Sequence, residues 1–262
     1  FPRGKCLNML VNQQKTHIVV SKLPRNEDYL TNYDGYVVTT EHFDLANPVT
    51  KVDDIPDYEM YSQTIDSLNK RFGNRVLKGI EIGYIASEKD RIIDYLADKD
   101  YDLKLLSVHH NGQFDYLDDE VKDMDPAIVI PQYFAQLSEA LVVIEADVFA
   151  HFDYSFRVFG LSVAEFKQYE AQFLPILDQV IKNKLAFELN AKSAYLYDNL
   201  ALYEYIIDLY LSRGGTLFSV GSDGHYLGHF HFDDLFALLK VKGVTELAFY
   251  QKGKRIMVPL PA

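Results

Sequence analysis

From Tyr36 onward the chain changes its hydrophobic period repeatedly. Val37-Val38-Thr39-Thr40 is a short apolar, β-branched run ending at Glu41-His42, the pattern of a buried strand. Asp57 to Phe72 switches to helical spacing and stops at Gly73-Asn74. The alternation then repeats. Further strands are predicted from Leu77 to Ile82, Leu103 to Val108, Val148 to Ala150, Leu185 to Leu189, Thr216 to Val220 and Leu247 to Tyr250. The helices between them are predicted from Ser87 to Ala97, from Asp125-Pro126 onward, from Ser162 to Ile181, from Leu200 to Leu211 and from Phe232 to Leu239. Ser87 and Asp125 are read as N-caps, Pro126 suits a first turn where a missing N–H costs nothing, and Pro175 predicts a kink.

Strand and helix in unbroken alternation predict parallel strands joined by crossover helices. No linker or shift in composition divides the chain, so residues 1–262 are expected to form a single α/β domain. Six or seven such units favour a closed TIM-like barrel over an open doubly wound sheet. An open sheet would carry a glycine-rich phosphate turn early, and none is present.

The 262 residues are 48% hydrophobic and 24% charged, enough apolar material for one full core. Lys+Arg 26 against Asp+Glu 38 leaves a net charge of −12 with no basic run, which argues against a nucleic-acid partner. One cysteine, Cys6, excludes an intramolecular disulfide framework and points to a reducing cytoplasm. No stretch reaches the roughly 20 continuous apolar residues of a membrane span, so no membrane partner is expected. Composition leaves the oligomeric state open.

The strand ends carry the chemistry. In order, the apolar runs end at Glu41-His42, Glu81, His109-His110, His151 with Asp153, Glu188 with Asn190, and Asp223 with His225. In a βα barrel the C-terminal strand ends form one rim, so these groups would converge on a single mouth. Each also has a plain reading. Asp153 and Asp223 could cap helices, Glu188 and Asn190 could form a structural pair, and a lone His17 is more often a surface or core residue than a ligand. The acidic run Asp115, Asp118, Asp119, Glu120, Asp123 and Asp125 reads as a solvated loop and helix start. Glu81 is different: it lies in the apolar strand Gly79-Ile80-Glu81-Ile82-Gly83, where a buried carboxylate is costly without a cation. Imidazoles and carboxylates in one mouth are ligands for Zn²⁺, Mn²⁺ or Fe²⁺, and their number implies two or three ions. Such clusters generate a bridging hydroxide and clamp phosphoryl oxygens in an in-line displacement. A serine nucleophile is disfavoured, because no G-x-S-x-G elbow is present.

Six motifs in register resemble the polymerase and histidinol phosphatase (PHP) family. They are Thr40-Glu41-His42, Gly79-Ile80-Glu81, Ser107-Val108-His109, Ala150-His151-Phe152-Asp153, Glu188-Leu189-Asn190 and Gly221-Ser222-Asp223-Gly224-His225. Asp153-Tyr154-Ser155-Phe156-Arg157 is similar to the histidinol-phosphatase branch, and the likeness runs from about Asp28 to Tyr250. The resemblance implies a distorted seven-stranded βα barrel with a trinuclear metal centre that hydrolyses phosphate esters, here L-histidinol phosphate in histidine biosynthesis. By motif, Glu81 resembles the carboxylate bridging two metals, His109 and His151 its partners on the second ion, and Asp223 a ligand of the first. His42 and His225 resemble ligands of the third. Arg157 resembles the phosphate-binding arginine, its plain reading being a surface salt bridge; His110 and Asn190 are further candidates for holding substrate. For the general acid, His42, Asp223 and a metal-bound water stay open. The family opens on a strand ending in His-x-His, whereas residues 1–27 are atypical and offer only His17, in Lys15-Thr16-His17. Three other readings follow: a PHP phosphotyrosine phosphatase or nuclease, a metal-binding but impaired relative, and an amidohydrolase. The last fits poorly, because its lysine belongs after a middle strand and Lys104 lies within one.

Overall fold

The apolar runs pair side by side in the order in which they occur. A computed structural model describes residues 7–8, 11–12, 15–16, 30–31, 35–223 and 232–260. Its main sheet contains six parallel strands: β4 (Val37–Asp44), β5 (Val76–Gly83), β6 (Leu103–Ser107), β7 (Val148–Phe149), β8 (Ala186–Asn190) and β9 (Phe218–Gly221). A short antiparallel strand, β1 (Leu7–Asn8), is added to the β4 edge, with Leu7 opposite Thr39. The parallel part is curled, so its C-terminal strand ends face one another. Helices follow each parallel strand: α1 (Tyr58–Phe72), α2 (Lys89–Leu96), α3 (Pro126–Val143), α4 (Val163–Phe166), α5 (Glu170–Asn183), α6 (Ala191–Leu196) and α7 (Leu200–Ser212) lie in the crossovers, and α8 (Asp233–Val241) follows the last strand.

Local chemistry explains most boundaries. Asp57 caps α1 by accepting the Met60 N–H at 3.0 Å, and Gly73 ends it in the left-handed region at φ 77°. Asp125 caps α3 in the same way, accepting from Ala127 at 2.9 Å with Pro126 at the first position. Helix α3 is long and apolar enough to cross a membrane. Here it lies on the protein, burying Val129, Ile130, Tyr133, Phe134, Leu137, Ala140 and Leu141.

Four sequence expectations change. Ser87 is not a cap: a 3-10 turn, Ala86–Glu88, precedes α2, and the Glu88 carboxylate is engaged by Arg91 at 2.7 Å. The long helix from Ser162 breaks not at Pro175 but at a 3-10 turn, Lys167–Tyr169. Phe166 and Tyr169 are both buried, and a 3-10 turn eclipses positions three apart, which a continuous α-helix would stagger. The last strand, β10 (Glu246–Gln251), does not join the parallel sheet. It pairs antiparallel with β11 (Lys254–Pro259) through Lys252-Gly253, whose φ angles of 54° and 63° match a two-residue hairpin turn. Finally, Lys15-Thr16 does not form an opening barrel strand. It is β3, paired with β2 (Val11–Asn12) in a separate ladder, and His17 lies outside the described residues.

Candidate active site

Strand side chains alternate between faces, and parallel register carries one parity around the sheet. His42 lies opposite Glu81, Asp44 opposite Gly83, and Gly83 opposite Ser107. Glu188 lies opposite Ser219 and Asn190 opposite Gly221. Counting by two beyond those strand ends places His109 and Asp223 on the same inner face. His42, Glu81, His109, Glu188, Asn190 and Asp223 therefore share one parity, whereas Glu41 has the other. The register runs through Val148, so His151 and Asp153 reach the mouth from the segment after β7 and not by strand alternation.

The first group is a carboxylate–imidazole cluster. The Oε1 atom of Glu81 is 3.0 Å from His109 Nε2 and 2.8 Å from His151 Nε2, and its Oε2 is 3.8 Å from His42 Nε2. Asp44 holds the far side: its Oδ1 is 2.7 Å from His109 Nδ1 and its Oδ2 is 3.0 Å from His42 Nδ1. Burial opposes charge on all of these groups, yet the mutual attraction wins for most. Glu81 and Asp44 are held well below the usual carboxylate range by the imidazoles, and His42 and His109 are raised by the carboxylates. His151 is lowered, because its burial outweighs the bond to Glu81.

Space for the Asp44 carboxylate depends on Gly83: a Cβ there would lie 1.8 Å from Asp44 Oδ1 and 3.1 Å from His109 Nδ1. Glu81 is 1% exposed, and its Oε2 has no hydrogen-bond partner among the described residues. Such an atom costs several kcal/mol in a dry interior. Ligand atoms of His42, Glu81 and His109 all lie within 4.8 Å of one another. This donor set, oriented from behind by Asp44, fits a divalent cation.

The second group is cationic. Arg157, in the 3-10 segment Tyr154–Phe159 after β7, is fully buried as a side chain. Its Nη1 is 3.4 Å from Asp223 Oδ2 and its Nε 3.5 Å from Asp153 Oδ1. The guanidinium carbon lies 5.4 Å from the centre of the Tyr154 ring and 5.3 Å from that of Tyr197. Its Nη2 has no hydrogen-bond partner among the described residues. Asp153 is itself locked by Asn199 at 2.8 Å, Tyr203 at 3.2 Å and the Ser193 hydroxyl, so it positions the arginine. Asp223 sits at φ 47°, a left-handed conformation that a non-glycine residue adopts only where its surroundings impose it. Burial opposes its charge, and Lys192 and Arg157 hold its carboxyl below the usual range. Burial pushes Glu188 up to about 8, although the His151 backbone N–H donates to it at 2.8 Å.

The structure thus brings His42, Glu81, His109 and His151 together, and beside them Arg157, Asn190 and Asp223. Arg157 makes its ion pairs in the interior, so its plain reading as a surface residue does not hold. His110 is 1% exposed and accepts the Gly112 N–H on Nδ1 at 3.1 Å. His225 lies outside the described residues. Asp115, expected on a solvated loop, is fully buried and accepts from Tyr154 OH at 3.3 Å and from the Leu117 N–H at 2.8 Å. Two functional candidates were missed from sequence. Asp44 shares the inner parity of His42 and could have been found by it; Lys192 carried no signal.

The decisive comparison is with family models: residues 28–192 match the PHP domain. The chain belongs to the PHP family. A curated relative, a probable histidinol-phosphatase from Clostridium acetobutylicum, is 26% identical over 194 residues, covering 72% of this chain and 74% of the relative. Among solved structures, a histidinol phosphate phosphatase from Lactococcus lactis, complexed with zinc, L-histidinol and phosphate, superposes with a TM-score of 0.77 at 22% identity. That match covers 90% of this chain and 93% of the other. A putative histidinol phosphatase from Listeria monocytogenes gives 0.59 at 16% identity, covering 72% and 83%. The shared architecture is therefore that of a PHP histidinol phosphatase.

Proposed function

We propose that the chain is a metal-dependent phosphomonoesterase that hydrolyses L-histidinol phosphate to L-histidinol and phosphate. One observation carries the reading: a buried carboxylate shared by two imidazoles stands beside a buried arginine with an unpartnered Nη2. The first is a place for cations and the second for an oxyanion. The curated relative and the solved zinc complex, with the molecules it holds, support the choice of substrate.

Glu81, His109, His151 and His42 would hold divalent ions, two or three in number, drawn from zinc, manganese or iron, with Asp223 and the undescribed His17 and His225 completing the set. Such ions supply Lewis acidity, activating water and neutralising phosphoryl charge. Asp44 fixes the His42 and His109 rings so that they present fixed nitrogens. Arg157, prevented from swinging by Asp153 and two tyrosine rings, presents its unpartnered Nη2 to the phosphoryl oxygens as charge builds on them. The same reading extends the curled sheet to a distorted seven-stranded barrel within a single domain, working in the cytoplasm.

Metal-loaded protein assayed with histidinol phosphate, p-nitrophenyl phosphate, a phosphotyrosine peptide and short single-stranded DNA tests the proposal. Preferred turnover of histidinol phosphate is the expected result. Turnover of none after loading with Zn²⁺, Mn²⁺ and Fe²⁺, with at most one ion bound per chain, would instead identify an impaired relative.

A further inference from the structure

Asp223 meets a second cation that no motif assigns. Lys192 Nζ lies 3.1 Å from Asp223 Oδ1, on the opposite oxygen from Arg157 Nη1. The two cations differ in depth, because the Lys192 side chain is 22% exposed and that of Arg157 is 0% exposed. Lys192 also stands on a fixed base. Asn190 caps α6 by accepting the Ser193 N–H at 2.9 Å, and its Nδ2 lies 3.4 Å from Asp223 Oδ2. A flexible four-carbon stem thus carries an ammonium from a rigid helix start to the rim of the mouth.

We propose that Lys192 is a second phosphate-binding residue, gripping from the rim a phosphomonoester dianion that Arg157 holds from the floor. This deepens the hydrolase reading and rests on it. The electrostatics call for such a group. Asp223 lies 3.4 Å from the arginine that would hold the phosphate, so its negative charge would repel the incoming dianion. A cation 3.1 Å from its other oxygen offsets that charge and sets an ammonium at the rim beside Asp223. An ammonium is a point charge with three donors, so its attraction grows with each negative charge on the ligand. Lys192 therefore favours monoester dianions over diester monoanions. If Lys192 served only to hold Asp223, its loss would lower stability and leave phosphate affinity alone.

The test uses the metal-loaded full chain and its Lys192→Met, Lys192→Gln and Lys192→Arg variants. Steady-state kinetics give KM and kcat for histidinol phosphate, and calorimetric titration gives the affinity for inorganic phosphate. Loss of one charge-assisted hydrogen bond predicts that Met or Gln weakens phosphate binding and raises KM about tenfold, with kcat changed less than about threefold. Arg should restore most of the affinity. The preference for p-nitrophenyl phosphate over bis(p-nitrophenyl) phosphate should fall in parallel. Unchanged phosphate affinity in a folded Met or Gln variant overturns the proposal, even if thermal stability drops. A wild type that binds phosphate but turns over no monoester overturns the hydrolase reading instead, and the titrations then still decide whether Lys192 binds the anion.

Discussion

On the β4–β7 side of the mouth the buried carboxylates are surrounded by imidazoles; on the β7–β9 side they are surrounded by permanent cations. Asp44 and Glu81 lean on His42, His109 and His151. Asp153 and Asp223 lean on Arg157 and Lys192. Imidazoles can give up their protons near neutral pH, so an incoming metal replaces charge already present and leaves the carboxylates satisfied. A guanidinium cannot, so Arg157 keeps its positive charge and draws an anion to the second side. One rim thus holds a site for cations and a site for phosphate, set apart by the acidity of the partner.

The comparison breaks most sharply at Glu81. Glu81→Gln should cost about a thousandfold or more in kcat/KM and strip bound metal, as read by kinetics and elemental analysis together. Arg157→Lys should cost about a hundredfold in kcat/KM while metal content holds at the wild-type level. Metal loss in that variant would show that the two sides are not separate. Asp44→Asn removes the orienting carboxylate and should weaken metal affinity by about 10–100-fold, measured by competition with a chelator.

The smallest effect is one of pH. His42 and His109 have raised pKa values in the metal-free protein, so their contribution to stability is full below the unfolded value of 6.5 and is lost as pH rises through the folded values. Glu188 acts in the same sense, its contribution being lost as pH rises from about 4.5 through about 8. Asp44, Glu81 and Asp223 are lowered and act oppositely, losing their contribution as acid protonates them. Chelator-treated protein should therefore melt at progressively lower temperature from pH 6 to pH 9, as followed by circular dichroism. Metal-loaded protein should flatten or reverse that trend, because metal binding expels the imidazole protons.

Period and parity explain what could be read from the chain itself. Glu81, His109, His151 and Asp223 stood out because each closes an apolar run; strand alternation then places Glu81, His109 and Asp223 on one face, while His151 arrives there from the turn after β7. Asp44 lies beyond the apolar run that ends at Glu41-His42, and the strand in fact runs two residues further. Asp115 was hidden by its neighbours, because five exposed-looking acids disguise a sixth that is buried against Tyr154. Lys192 follows Asn190 by two positions, but a helix begins between them, and strand parity no longer says where its side chain goes. The terminal hairpin was half visible: Leu247 to Tyr250 reads as a strand, while Lys254 to Pro259 is too exposed and charged to show a period.

Gly83 extends the boundary of the metal centre to a residue that offers it no atom. The hydrogen it carries in place of a methyl group leaves the room that Asp44 fills. Any redesign of this pocket, whether for another metal or another ester, must treat position 83 as closed to alanine. That change would push the aspartate off the two rings it aims without altering a single candidate ligand.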